Sequence, residues 1–271
     1  MVIAFISGIP ALLWQKRDDI LSPLLESAAN RSLNKSFTGT LRISGFHLDS
    51  SGQVNISKIT ASWKVPSGPF PFSIENIRLE TPLISILSKP AVFSFQHLRP
   101  AGSPGEGISG KITSEAILKG QFNLEADVLD LELQDMARLN PENLNGSSGK
   151  IVGKIIFRTV RKNEQPFVIT LSISEPGGKI QARFFDILIP YLPGANQKAV
   201  RSQIPSGGTV DYRHAALKIE LANPEKVKIL FNILVPAYNL NLNLNAEVHV
   251  EEESAFLQIA QLMDLAKGAK N

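Results

Sequence analysis

Between Asn239 and Val250 the chain reads NLNLNLNAEVHV, so that Leu240, Leu242, Leu244, Ala246, Val248 and Val250 fall on one side. Asparagine fills most of the other side. A period of two belongs to an extended strand, whose successive side chains point to opposite faces. Such a strand cannot stand alone: its apolar face needs cover, and its backbone groups need a neighbouring strand. The segment therefore commits the chain to a sheet with one apolar and one wet face.

The rest of the sequence supplies further strands of this kind. In the stretch Gly120–Val160, Phe122, Leu124, Ala126 and Val128 alternate with Asn123, Glu125 and Asp127. A break at Asp135–Asn143 is too short and too rich in Pro and Asn for a long helix. The turn residues Asn145-Gly146-Ser147-Ser148-Gly149 then lead into a strand from Lys150 to about Val160. Towards the N-terminus, strands are expected at Leu41–Ser44, Val54–Ser57, Ile74–Leu79, Leu83–Leu87 and Val92–His97, with Ile59–Val65 either continuing the second of these or beginning another. Their separators are Asp49–Gly52, Pro66–Pro69, Pro82 and Pro90, followed by a loop at Arg99–Gly110. Towards the C-terminus, strands are expected at Pro166–Ser174, Lys179–Leu188, Thr209–Leu221 and Lys226–Val235, with a second loop at Pro190–Gly208. Turn-like connections between so many short strands predict a mainly antiparallel sheet. With little helix to cover it, the apolar face has to curl on itself, meet a second sheet, or leave a groove for something apolar.

The two ends read differently. Residues 1–14 are expected to form an apolar membrane anchor, with Val2, Ile3, Phe5, Ile6, Leu12, Leu13 and Trp14 as its anchor residues. As a helix, Val2–Trp14 would span about 20 Å against roughly 30 Å of hydrocarbon. A short signal-anchor, the tail of a longer span and a buried helix are the three readings. Trp14 beside Lys16 and Arg17 favours the anchor, as an interfacial pattern. The same basic pair counts against export of the remaining chain under the positive-inside rule, although Asp18 and Asp19 come at once. Residues 15–34 are expected to form a helical connector capping the end of a sheet, on the spacing of Ile20, Leu21, Leu24, Leu25, Ala28 and Ala29. The β-sheet domain is expected over 35–253. A C-terminal helix over 254–271 would cap the sheet with Phe256, Ile259, Ala260 and Met263.

Composition excludes some classes. The 271 residues are 43% hydrophobic and 20% charged, enough to bury a sizeable core. A net charge of +3 would suit nucleic acid, but Lys and Arg are scattered and no strand alternates aromatic with basic residues. No nucleic-acid partner is expected. The absence of cysteine removes disulfides, thiolate chemistry and cysteine-ligated metals. Gly105-Glu106-Gly107-Ile108-Ser109-Gly110 fits GxGxxG, and Gly105–Lys111 fits the start of a phosphate loop. The next residues, Ile112–Leu118, do not read as a strong helix, and Ile112 occupies the Mg²⁺-binding Ser/Thr position, so the match is read as coincidence. His47, His97, His214 and His249 fall in separate strand regions without ligand spacing. Glu125, Asp127, Asp130 and Glu132 sit where the wet face of a strand belongs. No serine lies in a GxSxG elbow. The expectation is a non-enzymatic protein with no catalytic residues, no cofactor and no metal.

The spacing L-x-L-x-L-x-x-M-A-x-L…L-x-G-x-x-G-x-I-x-G-x-I-x-F at Leu129–Phe157 resembles the repeated unit of AsmA-like envelope proteins. It is also similar to the type II (general) secretion pathway protein N family. The N-terminal layout, ending in LRISGFHLDSSGQVNISKITASW, is alike, and so are Gly177–Leu192 and Thr209–Val250. The resemblance implies a bacterial inner-membrane protein with its bulk in the periplasm. Its fold would be an elongated, curved antiparallel sheet, a trough or β-taco, with the anchor at one end and the capping helix at the other. Larger relatives are held to carry lipid acyl chains in that trough, whereas protein N is regarded as an accessory of the secretion machinery. Two functions are therefore expected: lipid handling in support of outer-membrane assembly, or a protein-binding scaffold for secretion-system proteins. For the first, Phe122, Leu124, Leu240, Leu242 and Leu244 are the candidate groove residues, with membrane lipid as partner.

Overall fold

The computed structural model describes residues 39–249, apart from 49–52, 66–67, 83–84, 86–88, 117–120, 138, 159–166 and 224–225. The expected anchor, the helical connector and the C-terminal helix lie outside these residues. The protein is mainly β. Thirteen strands are described, and eleven of them form one antiparallel sheet that is not closed, in the order β1-β2-β3-β4-β5-β6-β7-β8-β11-β12-β13. The chain divides into two compact units, Met1–Asn123 and Leu124–Asn271.

In the first unit β1 (Gly39–Leu48), β2 (Val54–Val65), β3 (Gly68–Leu79), β4 (Ala91–Pro100) and β5 (Gly107–Ala116) pair in sequence order. Apolar residues meet in cross-strand rows: Ile43 faces Ile59, which faces Ile74, and Phe46 faces Ile56, which faces Ile77. Within each strand these partners stand three apart, which strict alternation forbids. The offset is taken up at Gly45, Asn76 and His97, whose φ values are 67°, 49° and 52°. Gly45 needs to be glycine here, since a Cβ would stand 2.6 Å from the Ser57 Cβ. In β4 the irregularity shifts the register against β5 between Phe95 and Leu98, as a bulge does. On the opposite face Glu75 accepts from Lys58 at 3.0 Å and lies 3.5 Å from Arg99. The Lys58 hydrogen bond holds the Glu75 carboxyl below the usual range.

The second unit continues from β6 (Gln121–Glu132), through α1 (Leu133–Met136) and α2 (Pro141–Leu144), to β7 (Lys150–Arg158) and β8 (Phe167–Ile173). The sheet closes its order with β11 (His214–Asn223), β12 (Lys226–Val235) and β13 (Leu240–His249). Between β8 and β11 the chain leaves the sheet. It forms β9 (Gly178–Gln181), α3 (Arg183–Leu188), a 3₁₀ turn at Ile189–Tyr191, α4 (Gly194–Gln203) and β10 (Thr209–Tyr212). β9 and β10 pair only with each other among the named strands, Gly178 facing Tyr212 and Gln181 facing Thr209.

Four expectations are corrected. Lys179–Leu188 is not one strand, because Phe185, Leu188, Ile189 and Leu192 are buried at the i, i+3, i+4, i+7 spacing of a helix and its continuing turn. Pro190–Gly208 is not a loop throughout, since α4 occupies its middle. Thr209–Leu221 is two strands in two sheets, parted at Arg213. The loop expected at Arg99–Gly110 shortens to Ala101–Glu106, with β4 and β5 growing into it. Of Leu83–Leu87, only Ser85 is described, and it lies in a 3₁₀ turn.

Candidate functional site

The apolar face of the second unit is assembled row by row. Ile155 of β7 faces Ile169 of β8, which faces Ile219 of β11, then Ile229 of β12, then Ala246 of β13. A parallel row runs Leu171, Leu217, Phe231, Leu244, and another runs Ile173, Ala215, Ile233, Leu242. Alternation in five strands thus places these apolar side chains on one face. The rows differ in cover. Ile233, Val235 and Leu242 are 0%, 0% and 1% exposed, whereas Ile155, Ile169, Ile219 and Ile229 are only partly buried. Next to the isoleucine row, Phe167, Leu221 and Val227 form a buried cluster, with the Phe157 ring edge-on to Phe167 at 6.4 Å.

The helical insert lies over part of this face. The Phe184 ring meets Phe231 at 5.7 Å and 63°, and Phe185, next in the chain, is fully buried. What holds the insert in place is the turn 145–149. Ser148 and Lys179 exchange backbone hydrogen bonds of 2.8 and 3.2 Å. The Ser147 hydroxyl, 1% exposed, accepts from the Gln181 amide at 3.3 Å, and Gln181 also donates its side-chain amide to the Asn145 carbonyl. The Tyr212 hydroxyl donates to the Ser148 carbonyl at 2.9 Å, and burial pushes its phenol up to about 12. Backbones come this close because Gly149 and Gly178 lack side chains: a Cβ on Gly149 would stand 2.3 Å from the Tyr212 oxygen. On Gly178 it would stand 2.0 Å from the Ser148 carbonyl oxygen.

The candidate groove residues are placed as follows. Leu240, Leu242 and Leu244 share the apolar face and are buried, while Leu124 is partly buried beside the buried Ala126 and Val128 on its strand. The Phe122 side chain and the anchor residues Val2, Ile3, Phe5, Ile6, Leu12, Leu13 and Trp14 lie outside the described residues. The residues that sequence reasoning missed are Phe184, Tyr212 and the half-buried isoleucines. The repeated small residues of GSSG and PGG carried the signal for the latch, since clustered glycines mark close backbone approach.

Among the described residues, polar groups do not converge on this face. Glu125 pairs with Lys154, and Asp130 with Lys150 at 2.8 Å, so these carboxylates occupy the wet side. The Gly105 carbonyl accepts from Arg99 at 2.8 Å, and Gly107 opens a strand, so the glycine run lacks the helix a phosphate loop needs. Among the described residues no three His, Asp or Glu side chains are grouped to hold a metal ion. Nor, among them, is any helix long and apolar enough to cross a membrane. A shallow depression of about 340 Å³ is lined by Leu171, Leu217, Phe231 and Leu244 together with their chain neighbours Thr170, Ser172, Ala216, Lys218, Leu230, Asn232, Asn243 and Asn245, which alternate to the wet side, so it is not part of the isoleucine row.

No family model, curated protein or solved structure matches this chain.

Proposed function

We propose that the protein is a non-enzymatic, lipid-handling component of the bacterial cell envelope, held in the inner membrane by Val2–Trp14 with its bulk in the periplasm. Lipid acyl chains lie against the apolar face of the second unit, and the expected curvature of the sheet into a trough would shelter them. One observation carries this reading: the isoleucine row Ile155, Ile169, Ile219 and Ile229 spans four strands and is only partly buried. A contiguous apolar surface kept partly open favours an apolar ligand. The Phe184 helix would bound one end of that surface, next to the nearly inaccessible Leu242 and Ile233.

The test is lipid extraction and mass spectrometry of the full chain purified from bacterial membranes, beside the double variant Ile219→Asn, Ile229→Asn. The reading predicts phospholipid in near-stoichiometric amount with the wild type and a several-fold loss in a variant that stays folded. Equal lipid in both, or none in either, would remove it. The second reading is a type II secretion scaffold, protein N-like, in which the same side chains form a dry core. The near-zero exposure of Ile233, Val235 and Leu242 favours it at that end of the face. Its signature would be a lipid-free chain that retains secretion-system proteins.

A further inference from the structure

β13 carries a symmetry that its fold does not use. Residues 239–245 read Asn-Leu-Asn-Leu-Asn-Leu-Asn, the same in both directions about Leu242. The strand ends the sheet order, and among the described strands it pairs with β12 alone, through ten unbroken partners from Val235↔Leu240 to Lys226↔His249. Its other edge therefore presents backbone N–H and C=O groups to whatever can pair with them. Natural edge strands are usually blunted by Lys, Pro, inward charges or bulges. β1, at the other end of the order, has such features in Arg42 and the αL Gly45. β13 has none of them from Leu240 to Ala246: no charge, no proline and no register shift.

We infer that β13 pairs antiparallel with β13 of a second copy of this chain, about a twofold axis at Leu242. In that register Leu240 faces the partner's Leu244, and Asn241 faces the partner's Asn243. Every contact is then like with like: leucine on the apolar face, asparagine on the wet face. No charge is set against its own kind, because the segment carries none. The asparagines suit the role. Asn232 of β12 donates its amide to Asn241 at 2.8 Å and to Asn243 at 2.6 Å. Both bonds end on the side-chain Oδ1 atoms of β13, which leaves the side-chain amide N–H groups of Asn241 and Asn243 to bond across the axis. A twofold partner also sets its apolar face alongside this one at Leu240, Leu242 and Leu244, extending the apolar surface.

The experiment is sedimentation velocity of the full chain in detergent, as wild type and as two charge variants. The wild type sediments as a dimer. Asn241→Lys with Asn243→Lys sets lysine against lysine twice and shifts the protein to monomer, at least tenfold weaker in association. Asn241→Lys with Asn243→Glu sets lysine against glutamate twice and stays dimeric. Both positions are solvent-exposed, so circular dichroism should show all three chains folded. A monomeric wild type would overturn the proposal, and it is the result expected if residues 250–271 cover this edge instead. A dimer indifferent to the lysine pair would overturn it too, by placing association elsewhere, for example in the N-terminal segment. If the lysine pair unfolds the chain, the Lys/Glu variant decides: a monomer of that variant also overturns the pairing.

Discussion

Tyr212 shows how one side chain couples two parts of a unit. Its ring is buried, its hydroxyl reaches the Ser148 carbonyl, and Gly149 and Gly178 make room for it. Gly149→Ala places a Cβ 2.3 Å from the Tyr212 oxygen at a backbone φ of 138°, and so should destabilise the protein by about 1–3 kcal/mol. Urea unfolding measures this, and the cost should shrink in a Tyr212→Phe background, where the oxygen is gone. Tyr212→Phe alone should cost about 1 kcal/mol or less, because the Ser148 carbonyl keeps its bond from the Lys179 amide. The pH dependence follows from the raised phenol. In the unfolded chain the group titrates near 10, in the folded protein at about 12. Its contribution is complete below pH 10 and is lost as pH rises toward 12. Melting temperatures at successive pH values should fall in that window for the wild type, and less steeply for Tyr212→Phe. Glu75 works in the opposite sense. Its lowered carboxyl, hydrogen-bonded to Lys58, contributes above the ordinary carboxylate range and loses that contribution as pH falls through its depressed value. Acid unfolding of Glu75→Gln should accordingly lack this component.

At the scale of the elements, alternation makes the sheet legible, while the insert is hidden by the brevity of its apolar run. Strands such as β6, β12 and β13 follow period two closely, and their faces are readable from Leu124 to Val128 and from Leu240 to Leu244. The first unit is harder, because Gly45, Asn76 and His97 convert a two-residue spacing into three at one point along the strands. Asparagine and histidine at positive φ give no clear signal in one sequence, whereas glycine does. The helix α3 escapes notice for a different reason. FFDILIPYL is a short apolar run, and over so few residues period alone does not separate a buried strand from a buried helix turn. Tertiary packing decides it here: Phe185 goes fully inward while Phe184 turns onto Phe231. Phe184→Ala should therefore loosen the insert by about 1 kcal/mol. Hydrogen exchange should then show faster exchange in Arg183–Gln203 with β11 and β12 unchanged. The face itself offers a sharper contrast. Leu242→Ala should cost about 2–5 kcal/mol, as for a filled core position, and Leu242→Asp should prevent folding by burying an unpaired charge. Ile229→Asn, in the partly open row, should leave the fold in place.

For the whole molecule, the proposed lipid-handling role rests on one feature, the apolar face of the second unit's sheet. The occupant of that face is not legible in the sequence. An apolar strand face reads the same whether a helix, a second sheet or an acyl chain lies on it. The difference is in the degree of cover, which is set by tertiary packing, and here cover is graded from Leu242 to the isoleucine row. The most direct measurement is photocrosslinking in living bacteria, with a photoreactive phenylalanine analogue placed at Ile229 on the apolar face or at Lys218 on the wet face of the full chain. A lipid-handling face predicts lipid-mass adducts from Ile229 and none from Lys218. Adducts to protein alone from Ile229, or equal lipid labelling from both positions, would contradict it.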